Sequence, residues 1–430
     1  MKRFLLCIFG AIALSPVDGH AQTLEEALAL AYQTNPTIGA ERARQRATSE
    51  AKAQAWANAL PKVTAGAAYS KVDDTQTINN AAFGGVGTND RTFNLETKTA
   101  QVTGEQPIFT GLRNFNLIRQ AKARVKAGDA QLALVEQDVL TRAAQAYFDV
   151  LRDTAVYDAT ANNVQVLSRQ KNEADLRFNV GEVTKTDVAQ AEARLAQSRA
   201  QLTTAQARLA VSRAAFVEVI GSAPATLEND PALPPTPASL EEAKTIAAEI
   251  SPAIIRARMS EEASRRGVSV AKGAFAPTIS LTASYQYAEE PSTFVVNDEQ
   301  FAYGVRASVP IFLGGLNLSR VREVRALNDA DRKRIDEAQR RAEALVTSAF
   351  EQLSAARANI VSAKSQVAAN ELALSGVRRE SQLGIRTTLD VLDAEQEFLN
   401  AQVALANAER DARTATFQLL AAMGVLGPDR

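Results

Sequence analysis

Thr278-Ile279-Ser280-Leu281-Thr282-Ala283-Ser284-Tyr285-Gln286-Tyr287 alternates polar and apolar side chains without a break. A period of two marks a β-strand, with Ile279, Leu281, Ala283, Tyr285 and Tyr287 on one face and Ser280, Thr282, Ser284 and Gln286 on the other. Phe301, Tyr303, Val305, Ala307 and Val309 repeat the pattern. Each run matches the roughly 9 to 11 residues of a membrane-spanning strand, although a soluble hairpin has the same alternation. Between them Ala288 to Gln300 is rich in residues that favour a loop.

Moving outward, the same order appears earlier in the chain. Leu24-Glu25-Glu26-Ala27 recurs as Leu240-Glu241-Glu242-Ala243, an offset of 216 that also carries Pro36 to Pro252, Pro61 to Pro277 and Tyr69 to Tyr285. Pro107-Ile108-Phe109 recurs as Pro310-Ile311-Phe312 at an offset of 203, which relates Gly181 to Gly384 and Asp187 to Asp390. Matched order, spacing and residue type indicate a tandem duplication. The first copy therefore has strands at about Val63 to Val72 and Thr92 to Gln106, with a longer loop, Asp73 to Arg91, between them. The expected organisation is a first repeat over 22–222, a proline-rich linker over 223–238 and a second repeat over 239–430.

Each copy then continues into long helices. Leu112 to about Arg177 contains no proline, and at about 1.5 Å per residue this is roughly 100 Å of helix, too long for anything but a coiled-coil-like pairing. The returning helix has Val188, Ala191, Leu195, Ser198, Leu202, Ala205, Leu209, Ser212, Phe216 and Val219 at alternating steps of three and four. Val391, Ala394, Phe398, Ala401, Leu405, Ala408, Ala412, Ala415, Leu419 and Ala422 keep the same register in the second copy. Where the helices reverse, Gly181 and Gly384 fit helix C-terminal residues with positive φ. Thr184 and Thr387 follow as N-caps, with Asp187 and Asp390 three residues on as the acidic half of a capping box. Pro61, Pro107, Pro277 and Pro310 are expected where helix and strand meet, since proline lacks an amide donor and restricts the residue before it.

The beginning of the chain reads as a secretory leader. Lys2 and Arg3 precede an apolar run from Phe4 to Leu14, and Gly19-His20-Ala21 suits cleavage after Ala21. Removing residues 1–21 takes away Cys7 and His20 and leaves 46 basic against 48 acidic residues, so no basic excess suggests nucleic acid. Without His or Cys the usual catalytic bases, nucleophiles and soft metal ligands are missing, so no catalytic residue, metal or cofactor is expected. No later apolar run approaches the length of a spanning helix. Four strands are too few to close a barrel, and an open edge in lipid is costly, so strands from several chains must combine. The competing architecture is a periplasmic coiled-coil adaptor or spacer, which the four alternating strands disfavour.

Gly384-Ile385-Arg386-Thr387-Thr388-Leu389-Asp390-Val391-Leu392-Asp393-Ala394 resembles the C-terminal signature of the TolC family of outer membrane efflux and type I secretion proteins. Val180-Gly181-Glu182-Val183-Thr184-Lys185-Thr186-Asp187-Val188 resembles its first-repeat counterpart. The resemblance implies a mainly α fold with β, in which a homotrimer forms one 12-stranded transmembrane β-barrel continued by a periplasmic α-helical barrel. It implies an outer-membrane exit duct for proteins or small toxic compounds. Its partners would be outer-membrane lipid, a periplasmic adaptor and an inner-membrane ABC or proton-driven transporter. It further implies a periplasmic gate or selectivity site at Asp187, Arg386, Asp390 and Asp393, with Arg386 pairing with Asp187. Asp390 and Asp393, three residues apart, share a helix face that the resemblance turns toward the channel axis. Asp393 is too deep to cap its helix, and the first copy has Gln190 there. Ser381 stands where the best-known member has a tyrosine, so the closing network is expected to differ in part.

Overall fold

The computed structural model describes residues 21–79, 86–292 and 294–427. The expected leader lies outside the described residues except for Ala21. The elements are α1 (Leu24–Thr34), α2 (Pro36–Ala57), β1 (Lys62–Asn79), β2 (Thr88–Phe109), α3 (Arg113–Asn179) and α4 (Lys185–Ile220). The series then repeats as α5 (Leu240–Ile250), α6 (Pro252–Lys272), β3 (Thr278–Ser292), β4 (Val295–Ser308), α7 (Leu316–Gln382) and α8 (Thr388–Met423). Helices α3 and α7 are both 67 residues long, and α4 and α8 are both 36, so the long hairpins of the two halves match in length.

The chain divides into two compact units. One contains Arg42–Leu132 and Pro252–Arg340 and holds the sheet. Its four strands form an antiparallel meander in the order β1-β2-β3-β4, leaving β1 and β4 as edges. Register settles which side chains share a face. Ala65, Val102, Tyr285 and Phe301 lie in one row across the sheet, beside Ala67, Ala100 and Tyr287 and beside Val63, Ala283 and Tyr303. The opposite face carries Thr64, Thr103 and Ser284 in one row and Gln101, Gln286 and Gln300 in another. Val63, Phe301, Tyr303 and Val305 are about two-thirds or more exposed, an apolar face that is left uncovered among the described residues.

The strands extend beyond the sequence expectation. Asp73 to Arg91 reads as loop, yet β1 and β2 continue pairing from Asp73↔Asn94 to Asn79↔Thr88. Polar cross-strand bonds hold this extension: Thr77 Oγ1 donates to Asp90 Oδ1 at 2.6 Å, and the Thr75 and Thr92 hydroxyls are 3.3 Å apart. Likewise β3 runs to Ser292 rather than ending near Tyr287. Pro61 and Pro277 precede β1 and β3, and Pro310 follows β4. Pro107 differs: it lies inside β2, at an irregularity between Pro107 and Phe109, because a bulge tolerates the missing donor. Just beyond β2, Gly111 and Gly273 approach so closely that a Cβ on Gly111 would fall 2.5 Å from the Gly273 carbonyl oxygen.

The second unit comprises the described residues up to Glu41, Ala133–Ser251 and Arg341 onward, and it is helical. Its main core gathers Leu24, Ala27 and Ala31 of α1, Val139 to Val150 of α3, Leu209 to Ile220 of α4 and Phe417 of α8. Tyr147, Phe148, Phe216 and Phe417 form a chain of ring contacts at 5.7, 6.4 and 6.0 Å. The Tyr147 hydroxyl accepts from the Glu228 amide at 3.1 Å and donates to the Gln22 carbonyl at 2.9 Å, and burial pushes its pKa up to about 12. The α4 seam follows the sequence reading closely, with Ala191, Leu195, Ser198, Ala205, Leu209, Ser212, Phe216 and Val219 buried. Helix α8 departs from its expected seam: Val391, Ala401, Ala412, Ala415 and Leu419 are buried, but Ala394, Phe398, Leu405, Ala408 and Ala422 are only partly buried. Leu392, Glu395 and Leu399 are buried beside them, since the helix packs on more than the single partner a heptad seam assumes.

Candidate functional site

The two turns that join the long helices have the same backbone geometry. In the first, Gly181 has φ 83°, its amide donates to the Phe178 carbonyl at 3.0 Å, and the Glu182 amide donates to Arg177 at 2.9 Å. In the second, Gly384 has φ 76°, its amide donates to Ser381 at 3.0 Å, and the Ile385 amide donates to Glu380 at 3.0 Å. Both are Schellman motifs, which use glycine to satisfy the last helical carbonyls. Three residues later Thr184 and Thr387 take extended N-cap conformations.

The two capping boxes form as the sequence suggests. Asp187 Oδ2 accepts from the Thr184 amide at 2.9 Å and hydroxyl at 2.8 Å, while the Asp187 amide donates to Thr184 Oγ1 at 3.3 Å. Asp390 Oδ2 accepts from the Thr387 amide and hydroxyl, both at 2.9 Å, and the return bond is 3.2 Å. The Thr387 amide, then its hydroxyl, hold the Asp390 carboxyl below the usual carboxylate range, and nearby Arg386 adds to the effect. In both boxes the hydrogen bonds from the threonine go to Oδ2.

Arg386 and Asp393 have partners of their own within the chain. Within the chain Arg386 Nε donates to Glu380 Oε2 at 2.9 Å, and among the described residues it makes no ion pair with Asp187. Asp393 is half-exposed and pairs with Arg194 of α4, Nη2 to Oδ1 2.5 Å. So the structure brings Asp390 and Arg386 near each other, and places Asp393 one turn along α8 with a partner of its own.

Sequence reasoning missed a charged cluster at this end of the helices. Glu395 on α8 is 4% exposed, and its Oε1 accepts from Gln170 Nε2 of α3 at 3.0 Å, Arg378 Nε of α7 at 2.9 Å and Arg378 Nη2. One buried carboxylate therefore ties three helices together. The signal was present: Glu395 interrupts the row Val391, Glu395, Leu399, whose i, i+4, i+8 spacing is otherwise apolar. Beside the cluster is a cavity of about 300 Å³ lined by Arg169, Gln170, Arg177, Arg378, Ser381 and Thr388. The small Ser381 side chain thus borders open space where a larger residue would project.

Comparisons with known proteins agree with this architecture. The family model described as "Outer membrane efflux protein" matches residues 27–222 and 245–425. The chain is 31% identical over 411 residues to the outer membrane efflux protein BepC of Brucella suis, covering 95% of this chain and 87% of that protein. It is 25% identical over 440 residues to the alkaline protease secretion protein AprF of Pseudomonas aeruginosa, covering 99% and 89%. The crystal structure of the outer membrane protein VceC from Vibrio cholerae superposes with a TM-score of 0.77 at 22% identity, covering 93% of this chain and 96% of that one.

Proposed function

The chain belongs to the outer membrane efflux protein family, and from that premise we propose how its working unit is assembled and gated. It is an outer-membrane channel for export, with its sheet in the membrane and a large helical part in the periplasm. The family is one of channel and efflux proteins. The leader over residues 1–21 is removed, and the repeats over 22–222 and 239–430, joined through 223–238, each supply two strands and one long helical hairpin.

The working unit is a homotrimer. The observation that carries this reading is the four-stranded sheet with two unpaired edges and an uncovered apolar face. A four-stranded sheet in lipid leaves backbone groups unsatisfied along both edges, and strands from three chains close into a ring that removes them. The same sheet argues against a soluble spacer, whose outer strand faces need no contiguous aromatic and aliphatic rows.

The two turns form the periplasmic gate, with Asp187, Arg386, Asp390 and Asp393 around its opening. Asp187 and Asp390 also cap their helices, each through one oxygen. Arg386 pairs with Glu380 inside its own chain and reaches the neighbouring chain's Asp187 when three tips meet. Three copies of Asp390 and Asp393 then form an acidic ring that favours cations. The duct receives cargo from an inner-membrane transporter, ABC or proton-driven, through a periplasmic adaptor. One relative is named for efflux and another for protease secretion, and both kinds of cargo suit a passive duct.

Single-channel recording in planar bilayers tests the gate. Replacing Arg386 by Ser frees Glu380 and Asp187 and raises the conductance of the closed channel. An unchanged conductance in an intact Arg386→Ser oligomer contradicts the assignment of Arg386 to the gate.

A further inference from the structure

Asp393 belongs to the acidic ring, yet its carboxylate is already engaged. Arg194 Nη2 lies 2.5 Å from its Oδ1, and the pair joins α4 to α8 across 199 residues of sequence. The Arg194 side chain is 32% exposed and that of Asp393 54%, so the contact is wet at one end and open to competition. Neither residue is supplied by the repeat symmetry. A shift of 203 places Gln190 opposite Asp393 and Glu397 opposite Arg194, so each partner is peculiar to its own copy. Its hydrogen bond from Nη1 to Gln197 Oε1 is longer and weaker, at 3.4 Å, so Asp393 is the group that directs the guanidinium.

The other charges at this end are disposed differently. Asp390, one turn earlier, spends Oδ2 on Thr387, and Arg386 is taken by Glu380. In one chain the tip of α8 therefore presents Asp390 beside Arg386, whose charge Glu380 shares, whereas Asp393 is paired directly with a cation contributed from the other hairpin.

We propose that Arg194 is a specificity-determining residue of the duct: by occupying Asp393 it sets how strongly the tip attracts multivalent cations. This rests on the reading above that three tips surround the opening. With three copies, the Arg194 guanidiniums halve the net charge of the ring formed by Asp390 and Asp393. A multivalent cation must displace Arg194 before it takes the Asp393 carboxylate. By the same competition, a cation held at Asp393 loosens the contact between α4 and α8, because coupling between two binding events is reciprocal.

Planar-bilayer recordings of the purified full-length protein, with lanthanum(III) added on the periplasmic side, test this. Arg194→Gln tightens the lanthanum block by roughly ten-fold, since an adjacent positive charge is lost from each carboxylate. Arg194→Lys keeps the block near that of the unaltered protein. Asp393→Asn weakens it, and adding Arg194→Gln to Asp393→Asn gives no further tightening. Oligomer mass and helical content are measured alongside, and Arg194→Ala replaces the Gln variant if assembly is disturbed. A block unaltered by Arg194→Gln but weakened by Asp393→Asn overturns the role of Arg194 and leaves the ring standing. A block unaltered by Asp393→Asn overturns the ring itself, and the role of Arg194 with it.

Discussion

Arg378 and Glu395, 17 residues apart on opposite sides of the second turn, meet through a single carboxylate oxygen that accepts from both Nε and Nη2 of the guanidinium. Gln170 donates to that same oxygen from α3. Removing one partner of a buried ion pair leaves an uncompensated charge, which typically costs about 3–5 kcal/mol. Arg378 is itself half-exposed, so Arg378→Ala belongs at the low end of that range, about 3 kcal/mol. Denaturant unfolding followed by the helical signal checks it, with Arg378→Leu combined with Glu395→Leu recovering most of the loss. A change within about 0.5 kcal/mol is what a solvated surface pair gives, and would show that water substitutes for the guanidinium.

Acid loosens the second turn. Hydrogen bonds from Thr387 keep the Asp390 carboxyl below its ordinary value. A carboxylate depressed in the folded state stabilises the fold above its unfolded pKa, about 3.9 for Asp, and that contribution is lost as pH falls through the folded value. Protease nicking between α7 and α8 should therefore rise as the pH drops below about 4. In Asp390→Ala the nicking is already raised at neutral pH and depends less on acid. Equal profiles for the two proteins would remove Asp390 from the account of the turn.

Gly384 is required by its backbone and not by crowding, because a Cβ there would meet no atom within 4 Å. Its φ of 76° is the left-handed conformation, which costs a residue with a side chain roughly 1–2 kcal/mol. Gly384→Ala should destabilise by about that amount and Gly384→Asn by less, since asparagine tolerates this region better. Thermal melts of the three proteins in one detergent give the order directly. Alanine as stable as glycine would mean that the turn has another conformation within easy reach.

These residues also mark how far the sequence could be read. Local rules act over a few residues, so the capping boxes, the positive-φ glycines and the alternation from Thr278 to Tyr287 were legible. The duplication was legible because its two offsets hold over long stretches. The outer half of the first hairpin was not: Asp73, Asp74, Asn89 and Asp90 have the composition of a loop, and only their direct cross-strand pairing makes them strand. Glu395 was legible as an interruption in an apolar row but its partners were not, for Gln170 lies 225 residues away. The pairing of Asp393 with Arg194 depends on how the second hairpin packs on the first, which no spacing within either repeat encodes.

Native mass measurement of the full-length protein in mild detergent, with and without heating, tests most directly the claim that this chain builds its channel by sharing strands. The account requires three chains per particle before heating, with the strand signal lost on dissociation. A stable single-chain particle that keeps its strand content would contradict it, because the unpaired edges of β1 and β4 would then need no neighbour.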